Sequence, residues 1–239
     1  MIGMYMRYGY GYYFDPTYIL IIIAGVISLL AQLKVSSAFS KYSAVRSMSG
    51  MTGAMAAEKI LYSQGIYDVS IQRVSGKLTD HYNPSNKTLN LSDAVYGSTS
   101  VAAIGVAAHE CGHAIQHAKG YAPLSFRTAL VPIANIGSQL SWVLIAGLIF
   151  SFNSLLINIG IIMFSLAVLF QLVTLPVEFD ASSRALKLLS STCIMNNSEV
   201  SQTKKVLSAA AMTYVAAAAT AILQLVRLII LFGGRNNRD

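Results

Sequence analysis

His109-Glu110-Cys111-Gly112-His113 is the segment whose residue types and spacing can do chemistry. On a helix, imidazoles four residues apart share one face and stand about 6 Å apart along the axis. That separation lets both reach one zinc ion. Glu110, between them, is not a ligand. A carboxylate there can take a proton from an activated water and pass it to a leaving amine. Cys111 is turned through about 200° from His109, away from a metal on the histidine face. Gly112 suits close helix packing better than chemistry. His117 lies one turn past His113, but His109 to His117 spans about 12 Å of axis, too far for one ion. The longer pattern H-E-x-x-H-x-x-G-x-x-H fails, because Gln116 and Lys119 stand at its Gly and last His positions.

A catalytic zinc needs a third protein ligand and an open fourth position. Glu178 and Asp180 have the best access, since a two-helix membrane hairpin would return the chain to the face it left. His81, on a predicted turn, and Glu199, in a Ser/Asn-rich loop, are the other candidates. A developing oxyanion would need a hydrogen-bond donor. His81, Tyr82 and Arg184 are the candidates, although Arg184 also suits a simple ion pair with Asp180.

Positioning these residues falls to a chain of 239 residues with 54% hydrophobic and only 11% charged residues. An ordinary soluble domain carries about 25% charged residues. This balance excludes disorder, and two cysteines exclude a disulfide scaffold. An integral membrane protein with a modest polar part remains. The net charge of +7 is spread thinly, without a basic run, so it speaks for membrane topology and not for nucleic acid.

The tyrosine-rich residues 1–16 read as an interfacial aromatic belt, followed by a retained apolar anchor from Thr17 to Leu33 that ends at Lys34. Residues 35–128 form the catalytic α+β part. A helix is predicted from Gly53 to Gln64, capped by Thr52 and closed by Gly65. Strands are predicted over 67–74 and Lys87–Leu91, separated by an Asn83–Asn86 turn. The exposed edge of the second strand could hold an extended peptide by β-augmentation. A helix follows over Val101–Ala118, capped from Ser98–Ser100. Residues 129–177 read as a transmembrane hairpin, 178–205 as a polar segment with the third ligand, and 206–239 as a fourth transmembrane helix and tail. Arg227 could snorkel to the interface. Lys and Arg number nine over 34–129 and four over 178–205, against three in the outer tails, which argues that both polar segments are cytoplasmic.

AAHECGHAIQHAKGYAPLSFRTALVP, the two apolar runs and LPVEFDASSRAL resemble the YugP-like family of neutral zinc metallopeptidases, as does LTDHYNPSNKTLNLSDAVYGSTSVAAIGVAAHE. The layout is also similar to that of the membrane protease HtpX and the membrane CAAX prenyl proteases. The resemblance implies that His109, His113 and Glu178 bind one zinc ion and that Glu110 is the general base. It implies a mainly α membrane protein of about four transmembrane helices with a small α+β gluzincin-like catalytic domain. Its activity would be zinc endopeptidase activity on peptides or proteins at the cell membrane, in the manner of membrane protein quality control. HtpX-type enzymes carry an Asp four residues after the ligand Glu, where this chain has Ser182; Asp180 is the alternative support for a ligand histidine. Three competing readings are weaker. An intramembrane site-2-type protease would need an Asp-Gly motif, which is absent. A zinc-stabilised scaffold or chaperone would not need Glu110. A transporter is poorly served by apolar helices whose one charge is Arg227.

Overall fold

The structure, a computed structural model, describes residues 15–76, 78–132, 134 and 154–232. Three helices among them are long and apolar enough to cross a membrane: α1 (Tyr18–Ser43), α6 (Ser154–Ser191) and α7 (Asn197–Phe232). Most of the expected span over 129–150, and most of the tyrosine-rich N-terminus, lie outside the described residues.

Between α1 and α6 lie α2 (Gly53–Ser63), strands β1 (Ser70–Val74), β2 (His81–Asn83) and β3 (Thr88–Ser92), the short α3 (Asp93–Tyr96) and α4 (Val101–Ala118). A helical segment over 122–132 is α5. The start signals of α2 and α4 act as expected. Thr52 Oγ1 accepts from the Met55 N–H at 3.2 Å, and Ser100 Oγ accepts from that of Ala103 at 3.2 Å. Gly65, at φ +72°, turns the chain out of α2.

Four expectations need correction. α1 does not stop at Lys34 but runs to Ser43. A lysine ends an apolar run without breaking a helix, and Phe39 and Tyr42 beyond it pack against the core. His81 lies on a strand, not on a turn; three residues show no alternation by themselves, and pairing with β3 creates β2. The sheet order is β1-β3-β2, with β1 parallel and β2 antiparallel to β3. β3 is therefore the central strand, buried at all five residues, and has no free edge to offer a peptide. Finally, the helix expected to close near Pro176 continues as α6 to Ser191, and the next begins at Asn197 rather than Val206.

The last correction has a clear cause. Val177, Ala181, Ala185 and Leu189 recur every four residues, and all are fully buried. This stripe packs on α4, and its burial outweighs the interior proline, which costs a helix about 3 kcal/mol. At 38 and 36 residues, α6 and α7 are about 57 and 54 Å long, well beyond a hydrocarbon core of about 30 Å. Their shared polar ends, joined through 192–196, enter one core with α2, α4 and β3. At the opposite end, Arg227 does not reach outward alone: it binds Asp15 at 3.3 Å and Thr17 Oγ1 at 3.1 Å, tying the end of α7 to the start of α1.

Candidate metal centre

α4 is the centre of the polar body, and its small residues decide how closely neighbours approach. A Cβ on Gly112 would stand 2.6 Å from Ala181 O and 2.9 Å from Ala181 Cα. A Cβ on Gly105 would stand 2.6 Å from Thr203 Cγ2. α6 and α7 thus press directly onto α4, and α6 arrives with Glu178 one turn before Ala181.

This contact brings together His109, His113 and Glu178, whose candidate ligand atoms all lie within 4.8 Å of one another. Glu178 Oε2 is 3.3 Å from His109 Nε2 and 3.6 Å from His113 Nε2. Glu178 is 2% exposed, and Oε2 has no hydrogen-bond partner. A buried carboxylate oxygen is costly without a partner. Oε2 and the two imidazole nitrogens instead converge on one point, as ligands of a single cation would.

The outer nitrogens of both rings are occupied. His109 Nδ1 meets Ser182 Oγ at 3.1 Å, and His113 Nδ1 meets Gln116 Oε1 at 3.0 Å. The amide of Gln116 donates to Val177 O and to Asp180 Oδ2, both at 2.8 Å. With its nitrogen so committed, Gln116 presents its oxygen to His113. Nδ1 therefore carries the proton and Nε2 the lone pair a metal needs. Asp180 is held in turn by Arg184, whose guanidinium lies over the Tyr121 ring.

A cavity opens beside the cluster, lined by His109, Glu178 and Ser182, and Glu110, which is 8% exposed, lines it too. Its Oε2 accepts the main-chain N–H of Tyr82 at 3.0 Å. Tyr82 pairs with Leu89 on β3, so this N–H leaves β2 on the edge that carries no strand. The Tyr82 hydroxyl goes elsewhere, to His117 Nδ1 at 2.8 Å. His81 is spent on Thr79 O at 2.8 Å and the Asn90 amide at 3.1 Å. The side chains of His81, Tyr82 and Arg184 do not line the cavity. Glu199 lies at the start of α7, with Oε1 on Met48 N at 2.7 Å and Oε2 on Asn196 N at 3.0 Å. Cys111 faces away from the histidines, toward Ala57 O, and burial pushes its thiol well above the usual range, helped by the Glu110 charge.

Three contributors escape the sequence reading. Ser182, noted there as a departure, is itself the partner of His109. Arg127 of α5 sets its Nη1 3.5 Å from Glu178 Oε1. Tyr214 of α7 lines the cavity beside His109, Glu110 and Glu178. A lone tyrosine in an Ala-rich run and a lone arginine before an apolar one were the available signals.

The fold and this cluster define a helical membrane protein with a His-His-Glu group suited to a metal. The family described as "putative neutral zinc metallopeptidase" matches residues 17–233, and the chain belongs to it. It is 48% identical over 215 residues to the "Putative membrane protease YugP" of Bacillus subtilis (strain 168), covering 89% of this chain and 94% of that protein. No solved structure matches the chain.

Proposed function

We propose that the chain is an integral membrane zinc endopeptidase, with His109, His113 and Glu178 as ligands of one zinc ion and Glu110 as general base. The observation that carries this reading is Glu178 Oε2, buried and unpartnered, facing two imidazole Nε2 atoms whose rings are satisfied through Nδ1. A zinc ion bound there supplies Lewis-acid polarisation of a peptide carbonyl and lowers the pKa of water. The remaining work belongs to the chain. Glu110, oriented by the Tyr82 N–H, takes the proton of the attacking water and returns it to the departing amine. Ser182 fixes the His109 ring, and Gln116 fixes that of His113, with Asp180 and Arg184 as positioning residues behind it. The open edge of β2, beside Glu110, suits an extended peptide adding as a strand.

Carboxylate and histidine ligands from α4 and α6 fit a gluzincin-like catalytic part, and the uncharged sequence over 129–150 is long enough that a crossing there would make four spans. The packing of both Lys/Arg-rich segments into one body supports a single, cytoplasmic side for the site. A site at this depth suits protein or peptide substrates presented at the bilayer surface, as in membrane protein quality control.

The test is metal content and casein cleavage by detergent-purified protein. Wild type should hold one zinc and cleave. Glu110→Ala should keep zinc and be inert, and Glu178→Ala should lose zinc. A Glu110→Ala variant equal to wild type in every assay would favour a zinc-stabilised scaffold or chaperone.

A further inference from the structure

A hydrolytic site needs a donor for the oxyanion, and the groups lining this cavity can be taken one by one. Its polar members are Asp80, His109, Glu110, Glu178, Ser182 and Tyr214. Asp80, Glu110 and Glu178 are acceptors when ionised. Asp80 is moreover committed to Ser92, through N–H at 2.7 Å and Oγ at 2.9 Å. His109 points Nε2 at Glu178 and Nδ1 at Ser182, which accounts for Ser182 as well. Tyr214 is left. It is half-buried, and its hydroxyl faces the Glu178 carboxylate that would hold the metal, with the Glu110 and Arg127 charges nearby. It stands on α7, across the cavity from the motif helix, and a phenol keeps its proton at neutral pH.

We infer that Tyr214 is the oxyanion donor of this site, an inference that rests on the peptidase reading above. As the water oxygen bonds to the carbonyl carbon, the π pair moves onto the carbonyl oxygen, and the Tyr214 O–H donates a hydrogen bond to it. The phenol does not release its proton. When the C–N bond breaks, the electron pair returns to form the carboxyl group, and the amine takes the proton held by Glu110. Arg127 stands behind the site, with Nη1 on Glu178 Oε1 and a buried Nε that has no hydrogen-bond partner, and it does not line the cavity.

The test compares zinc-loaded wild type with Tyr214→Phe and Tyr214→His. Tyr214→Phe should keep its zinc and its KM for a casein-derived peptide, while kcat falls about 100-fold. Affinity for a peptide phosphonate, which mimics the tetrahedral oxyanion, should fall by a similar factor. Affinity for a mercaptoacyl peptide, which lacks that oxygen, should not change. Tyr214→His, which retains a donor, should recover part of kcat. An active wild type with Tyr214→Phe at the same kcat overturns this inference alone, as does equal weakening of both inhibitors. Should wild type bind zinc without cleaving, the two inhibitor affinities still decide the role of Tyr214. A wild type that binds no zinc overturns the peptidase reading and this inference together.

Discussion

α1 and α4 are both apolar helices containing glycine, yet they solve different problems. Among α1's 26 residues, only Ala24, Ala31 and Tyr42 are buried. Ile22, Val26, Leu29 and Leu30 are each at least half exposed, as a lipid-facing surface requires. In α4, 13 of 18 residues are buried, including Glu110 and Gln116. Its polar groups must find partners in protein: Gln116 finds them on α6, and Glu110 finds the Tyr82 N–H of β2. The glycines separate the two cases most sharply. A Cβ at Gly25 would meet nothing within 4 Å, whereas one at Gly112 would strike the α6 backbone. An apolar stretch therefore acquires its role from what it packs against.

The sharpest way to break this contrast is Gly112→Ala. Backbone atoms of Ala181 cannot yield as a flexible side chain would, so α6 must move and carry Glu178 with it. Overpacking of this kind costs about 1–3 kcal/mol, and the larger consequence is loss of bound zinc and of proteolysis. Metal analysis beside a thermal melt checks both; full zinc at an unchanged Tm would show that the helices tolerate wider spacing. Next comes Ser182→Ala, which removes the His109 Nδ1 partner. Zinc affinity should fall by about 10–100-fold, read by competition with a chelator, while Ser182→Asp should restore it. In the membrane half, the Ser28–Thr220 hydrogen bond of 3.1 Å joins α1 to α7. Ser28→Ala should cost about 0.6 kcal/mol in detergent unfolding, with zinc content untouched. The smallest loss is expected from Gly25→Ala, which should leave stability unchanged or raise it by up to about 1 kcal/mol. A loss of zinc in Gly25→Ala would show that the two halves are coupled and that the comparison fails.

Much of this was legible because it is local. Helix periodicity puts His109 and His113 on one face, Thr52 and Ser100 cap their own helices, and the Cys111 side chain has to turn away. Charge bias and hydropathy reveal the membrane character. Strand β2 was not legible, because its three residues become a strand only by pairing with β3. The passage of α6 through Pro176 was not legible either. Glu178, Asp180 and Arg184 read as a return to polarity, while the Val177, Ala181, Ala185, Leu189 stripe matters only once α4 lies against it.

The sequence by itself determined the pair of imidazoles, the carboxylate between them and the apolar lengths that span a bilayer, since each depends on spacing within one segment. Tertiary structure decided how Glu178, which the residues left as one of several acids and only the family resemblance singled out, meets the histidines, what holds each ring, and which hydroxyl looks into the cavity. Glu178 lies 65 residues beyond His113, and Tyr214 a further 36. Nothing within either segment encodes such distances; they follow from two glycines on α4 that let α6 and α7 close on it.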